Sequence, residues 1–336
     1  MQADKPPPPP RVRAGGTVLS LIAGPLTVPI LRAHLDAPLR LPDLRERIGG
    51  AAQTTLRGQV GNLRGIGALE RHVRGGMPYT VENELTDVGR GVLAVAEIIE
   101  AWLARAPQGP IALGSEPAKG AIRALISGWG STMLRALAAR PLSLTELSSV
   151  ISDLSYPALE RRLSAMRAAR QIEVLPVGGR GAKPYAVTDW TRQAVGPLAV
   201  AGRCECQHMT ETTDPLTRID IEAAFLLAVP LITLPEDHSG SCLLAVNTGT
   251  IDSGEPQRSI AGVHVEVNAG AISSCVSRLE RDPRIWALGT VDSWLDAIID
   301  GQLDRLRFGG QDAQLAKAVI VSLHAALLPP AHGSDD

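Results

Sequence analysis

The stretch QTTLRGQVGNLRGIG, residues 53–67, concentrates side chains able to bond the edges of nucleic-acid bases. Leu56, Val60 and Leu63 recur at the spacing of one buried helix face, which leaves Gln53, Thr54, Thr55, Arg57, Gln59 and Arg64 beside that stripe. Gln and Arg can make paired hydrogen bonds to adenine or guanine edges, and Thr offers a hydroxyl and a methyl. A second stretch, SYPALERRLSAMRAAR at 155–170, presents Tyr156, Arg161, Arg162 and Arg167 in the same manner. Arg74, Arg180 and Lys183 fall in or beside the Gly-rich turns that follow the two stretches, where a cation suits a phosphate. The first stretch is poorly made for a helix. Gly58 and Gly61 each cost about 0.8–1 kcal/mol in a helix interior.

Both stretches sit at the same place in an internal repeat. Ile30-Leu31-Arg32-Ala33 matches Met133-Leu134-Arg135-Ala136, Pro38-Leu39 matches Pro141-Leu142, and Leu44 matches Leu147. Ile48 then matches Ile151, and Leu69-Glu70 matches Ile172-Glu173, all at one offset; LTDVGR (85–90) matches VTDWTR (187–192) one residue short. Each copy reads as an apolar helix (26–36; 129–139), a Pro-Leu turn, a short helix and a third helix (53–65; 156–169). Two strands around a Gly-rich turn and a further helix complete it. That order is a winged helix-turn-helix, with the third helix facing DNA and the hairpin as wing. Ala52 stands where the second copy has Ser155, so the first reading helix is expected to lack an N-cap worth about 1 kcal/mol. It is expected to be marginal when free, and the second to be the stiffer reader.

Composition agrees with a folded chain of two or three domains: 336 residues, 45% hydrophobic, 20% charged and only 3% aromatic. Four cysteines without a regular framework argue against a disulfide scaffold. The net charge of −2 hides a gradient, with +3 over residues 1–108, +6 over 109–203 and −11 over 204–336. A basic front and an acidic back suit a nucleic-acid-binding part joined to a part of another kind. TVLSLIAGPLTVPIL (17–31) imitates a signal peptide, but Pro25 and Pro29 interrupt it and the repeat places it inside a folded unit. A cytoplasmic chain without a membrane anchor is therefore expected. Cys204, Cys206 and His208 lack a fourth ligand, so this stretch is read as part of a polar linker, 204–215, with no metal or cofactor. HSGS (238–241) lacks the context of a serine nucleophile and no phosphate-binding loop or dinucleotide fingerprint is present, so an enzyme is not expected.

Residues 20–104, through GPLTVPILRAHLDAPLRLPDLRERIGG, LERHV and YTVENELTDVGR, resemble the HxlR-type winged-helix transcription regulators. Residues 123–203 are similar to a more diverged copy. Regulators of this type usually carry one such domain and dimerise, so a tandem pair implies an intramolecular pseudo-dimer, or a homodimer, on double-stranded DNA. This chain departs from the family at Ala52, usually Ser, and at Gly58, usually basic or polar. Beyond 216, strands at 242–246, 261–267, 272–276 and 285–290 precede DSWLDAIIDG, LRFGG and a last helix at 313–327. That order resembles the sterol-carrier-protein-type lipid-binding domain. The resemblance implies a cavity for an apolar small-molecule effector lined by Phe225, Val265, Val267, Trp286, Trp294, Phe308 and Leu323. The expected fold is mainly α with β wings in two tandem winged-helix domains, followed by an α+β sterol-carrier-like domain. Its parts are a disordered Pro-rich tail (1–14), winged helices at 15–108 and 109–203, the linker, and a ligand domain at 216–330. The function expected is a transcription regulator sensing an apolar molecule. The alternative is a small-molecule sequestering protein whose winged helices bind other proteins.

Overall fold

The computed structural model describes residues 12–75, 79–130, 132–176, 183–209, 213–247, 260–280, 282–310 and 313–328. A short strand, β1 (Val12–Arg13), leads into helices α1 (Gly16–Ile22), α2 (Thr27–Ala33), α3 (Leu41–Arg47) and α4 (Gln53–Gly65). An antiparallel hairpin follows, β2 (Leu69–Arg74) with β3 (Thr80–Leu85), and then the long helix α5 (Asp87–Ala104). Ile30 and Leu31 of α2, Leu44 of α3 and Leu56 and Leu63 of α4 are fully buried, so three short helices close one aliphatic core. None is long enough to persist alone in water, and packing must hold them.

The same order returns in α6 (Glu116–Gly130), α7 (Met133–Ala139), α8 (Leu144–Val150), α9 (Tyr156–Ala168), β4 (Ile172–Val174), β5 (Tyr185–Val187), α10 (Asp189–Gln193) and α11 (Val195–His208). Equivalent turns close both third helices. After α4, Gly67 N–H bonds the Arg64 carbonyl and Ala68 N–H the Leu63 carbonyl; after α9, Arg170 and Gln171 do the same to Arg167 and Met166. Such a turn needs a left-handed residue. Gly67 supplies it freely at φ 75°, whereas Arg170 adopts φ 59° against its own Cβ. Each hairpin is also stitched to its helices by one bridge, Leu39 with Asn83 and Leu142 with Tyr185.

The N-cap expectation fails for α9. Ser155 makes no side-chain cap bond. Pro157 removes one of the donors such a cap would use, and the Ala158 N–H is taken by the Ser155 carbonyl at 2.9 Å. A reciprocal capping box is found instead at α8. There Glu146 N–H bonds the Ser143 hydroxyl, and the Glu146 carboxylate accepts from Ser143 N–H at 2.8 Å.

The expected linker is also corrected. Residues 204–208 are the last turn of α11, and Cys204 is buried. A final short strand, β6 (Thr213–Asp214), pairs in parallel with β1, so residues 12–14 are not a loose tail. Glu205, fully buried on α11, accepts the Val18 N–H at 2.6 Å and thereby ties α11 to the start of α1. Residues 1–11 lie outside the described part. The chain divides into two compact units, Met1–Glu97 with Ala201–Pro215 and Ile98–Val200 with Leu216–Asp336.

The rest of the second unit is helix on sheet. Helix α12 (Arg218–Ala228) precedes β7 (Gly240–Asn247), β8 (Ile260–Asn268), β9 (Ala271–Ser277), β10 (Ile285–Thr290), α13 (Val291–Asp300), β11 (Arg307–Gly310) and α14 (Ala313–Leu327). The strands form one sheet in the order β11-β10-β7-β8-β9, with β10 parallel to β7 and every other pair antiparallel. Leu244, Val246, Val263 and Val265 are fully buried on the face that carries Trp294, whose indole N–H bonds the Ala245 carbonyl at 2.8 Å. Elsewhere in this unit Trp102 and Trp190 stack 4.2 Å apart, and each indole N–H bonds the other's backbone carbonyl.

Among the described residues no single helix is long and apolar enough to cross a membrane. The signal-like stretch folds into α1 and α2, bent by 82°, with Val18, Leu19, Ile22, Ile30 and Leu31 inside the core.

Candidate nucleic-acid interface

Helix α4 turns Leu56, Val60 and Leu63 inward and leaves Gln53, Thr54, Thr55, Arg57 and Arg64 exposed. Gln59 behaves differently. It flanks the core stripe, four residues before Leu63, and its amide donates to the Thr27 hydroxyl of α2 at 2.9 Å. This side chain holds two helices together and is not presented for reading.

The three glycines of α4 lie on the outer surface. A Cβ built on Gly58, Gly61 or Gly65 would meet nothing within 4 Å. A bare helix face opposite a hairpin leaves a groove of about 640 Å³, and its four cations come from three elements or their flanks: Arg40 before α3, Arg57 and Arg64 on α4, and Arg71 on β2. Tyr79, 66% exposed, stands at its end, and no carboxylate lines it. Arg40 is bound to Asp43 at 2.7 Å, while Arg57, Arg64 and Arg71 have no ion pair among the described residues. Three unpaired guanidiniums along an open groove make a row of positive charge for an incoming polyanion.

The hairpin separates its charges by face. Strand pairing sets Leu69, Arg71 and Val73 on one side with Val81, Asn83 and Leu85. The other side carries Glu70 opposite Glu84 and His72 opposite Glu82, with Arg74 bound to Glu82 at 3.2 Å. That acidic side repels a phosphate backbone and draws off part of the charge of Arg74. Attraction comes from the Arg71 side, which lines the groove. Sequence reasoning named Arg74 and missed Arg40, Arg71 and Tyr79. The alternation of the strand was the available signal, since Arg71 shares a face with the buried Leu69.

In the second unit, Tyr156, Arg161 and Arg167 are exposed on α9, and Arg162 is half-buried beside the core stripe of Leu159, Leu163 and Met166. None of these arginines has an ion pair among the described residues. Lys183 is exposed at the foot of β5, and Arg180 lies outside the described residues.

The seven residues expected around an apolar cavity are dispersed by the sheet. Phe225 and Trp294 meet edge to face at 4.7 Å, and with Val265, Val267 and Leu323 they are buried in the core. Phe308 pairs with Ala287, and the ammonium of Lys317 on α14 lies 5.4 Å from its ring. Trp286 belongs elsewhere: its register with Leu243 and Gly309 puts it on the opposite face of the sheet. Any Cβ on Gly309 would overlap its indole. Trp286 therefore does not share a compartment with Phe225 and Trp294. Between α12, α13 and the helices before them lies an apolar gap of about 20 Å³, far below the 300–1,000 Å³ of a drug-sized ligand site. Among the described residues no group of three or more His, Cys, Asp or Glu side chains is placed to hold a metal ion.

Residues 21–108 match the family model described as HxlR-like helix-turn-helix, a segment that holds the groove and all the cations lining it. This segment is a helix-turn-helix domain of the kind that regulators use on DNA. No curated protein matches the chain.

Proposed function

We propose that the chain is a transcription regulator with two DNA-reading units in tandem. The first is built on α4 and the β2–β3 hairpin, the second on α9 and the β4–β5 hairpin. The observation that carries the reading is the groove along the glycine face of α4, with Arg57, Arg64 and Arg71 unpaired beside it. A phosphate backbone supplies the density of negative charge that such a row attracts. The bare glycine face lets the backbone approach α4 closely, so this helix contributes chiefly affinity. Helix α9, with Tyr156 and Arg161 exposed, contributes chiefly base reading. The shared helix order, the equivalent turns and the equivalent bridges support treating the second unit as another winged helix. Two reading helices in one chain can occupy two half-sites as a pseudo-dimer, and a homodimer would occupy four.

The remaining helix-on-sheet part has the element order of a sterol-carrier-like domain, and we assign it the reception of a small-molecule effector. The test is fluorescence anisotropy with fragments of the chain's own promoter region across a salt series. Arg57→Ala, Arg64→Ala and Arg71→Ala should each weaken binding to all sequences and lower the salt slope by about 0.9 per lost phosphate contact. Arg161→Ala should instead relax sequence preference. Absence of any complex at low salt would refute the reading.

A further inference from the structure

The second unit holds a pocket of about 240 Å³ between the end of α7, strand β5, helix α10, the end of α12 and strand β9. One wall is aliphatic, made by Leu137, Val187, Leu226 and Ile272. The polar side contains Arg140, Arg192, Ser274 and Cys275, and no carboxylate lines it. Arg192 is fixed in place, since its Nη1 donates to the Leu226 and Leu227 carbonyls at 3.1 and 3.0 Å at the C-terminus of α12. Its Nε lies 3.9 Å from the exposed carboxylate of Asp189, its Nη2 has no hydrogen bond among the described residues, and its side chain is 19% exposed. Arg140 spends Nη1 on Glu146 at 2.9 Å. The Ser274 hydroxyl has no partner among the described residues. Strand β9 is an edge of its sheet, bridged on its outer side by Thr233 at Ala271, and beyond that its outer row of backbone groups has no strand partner among the described residues.

We propose that this pocket binds a small organic monocarboxylate, its carboxylate on Arg192 and its apolar body against Leu137, Val187 and Leu226. The proposal rests on the reading of the C-terminal part as an effector-receiving domain, and moves the seat from inside the sheet to its edge. The volume is below the 300–1,000 Å³ of drug-sized sites, so the ligand is small. Arg140 is held by Glu146 and the 85% exposed Asp189 only loosely offsets Arg192, so the pocket balances at most a single negative charge, and a phosphate dianion would be left under-compensated in a half-buried site. An uncharged molecule would leave the free Nη2 unmatched. The occupant would touch both the helix–hairpin elements α7 and β5 and the sheet strand β9. It can therefore bias their relative placement by the difference in its contacts.

The experiment is isothermal titration calorimetry of the full chain with benzoate as probe, benzamide as its uncharged isostere and inorganic phosphate as a small anion. Benzoate should bind one site per chain with Kd at or below about 1 mM, and benzamide at least about tenfold more weakly. Arg140→Gln, at an exposed position, should weaken benzoate several-fold, and Ala186→Leu, which fills the pocket, should abolish binding with the circular dichroism spectrum unchanged. Benzoate and benzamide binding equally, phosphate binding in preference to benzoate, or benzoate binding that survives both substitutions would each overturn the proposal. So would no benzoate binding to the folded chain. These readouts do not involve DNA, so their failure is distinct from the failure of the anisotropy experiment.

Discussion

Replacing Gly58 and Gly61 of α4 by alanine separates the helix's stability from its use. Neither glycine has a left-handed φ, and an added methyl on either meets nothing within 4 Å. No packing gain and no clash enter, leaving helix propensity and the reduced freedom of the unfolded chain. Each substitution should stabilise α4 by about 0.8–1 kcal/mol, and the pair by roughly 1.6–2 kcal/mol. At about 1.4 kcal/mol per factor of ten, amide hydrogen exchange in Leu56–Leu63 should slow by roughly 15–25-fold where it proceeds by local opening. Unchanged or faster exchange in the double variant would refute the reasoning, because it would mean that the face is covered or the segment is not helical in solution. A bulky residue on the same face has the opposite consequence for binding. Gly61→Leu should leave stability near that of Gly61→Ala yet weaken the DNA complex at least about tenfold, or about 1.4 kcal/mol, by filling the groove.

Arg170→Gly should stabilise the second unit by about 1 kcal/mol, read as a higher denaturation midpoint, because the left-handed turn after α9 then no longer opposes a Cβ. Trp102→Ala should cost about 3–5 kcal/mol, leaving the Trp190 carbonyl without its indole donor and the Trp190 ring without its stacking partner, measurable by urea unfolding followed through tryptophan fluorescence. The Ser143 N–H, the Arg140 guanidinium and the Ser143 hydroxyl lower the Glu146 carboxyl from 4.5 to about 2. Its contribution is thus present above the ordinary carboxylate pKa and lost as pH falls toward 2, so Glu146→Gln should flatten the stability profile across that window. Burial raises the thiol of Cys204 to about 11 and those of Cys242 and Cys275 to about 12. At pH 8 iodoacetamide should leave these three unmodified in the folded chain and alkylate them after unfolding, as followed by mass spectrometry.

Local periodicity was enough to place most elements. The span 53–65 read from Leu56, Val60 and Leu63 is the span of α4, and the apolar runs at 242–246, 261–267 and 285–290 lie within β7, β8 and β10. These patterns are short-range, since a helix or strand declares its buried face within a few turns or residues. The equivalent turns after α4 and α9 were also implicit in the repeat, although Arg170 gave no glycine to mark the second.

What the chain kept back depends on partners distant in sequence. Gln59 and Arg57 are both polar residues of one helix, and only the position of Thr27 on α2 turns the first inward. Cys204 to His208 look like a polar linker until β6 returns to β1 and Glu205 is buried against α1. Trp286 and Phe308 are both aromatic strand residues, but which face each occupies follows from the register of β10 with β7 and β11. Arg192 has no visible role in VTDWTR, and acquires one from the C-terminus of α12, more than thirty residues away. The sequence by itself determined the order, lengths and buried stripes of the elements, because those follow from neighbours along the chain. Tertiary structure alone decided which polar groups are used up in holding the fold and which remain for a ligand. That division is set by long-range pairing, through which most buried donors and acceptors find a partner.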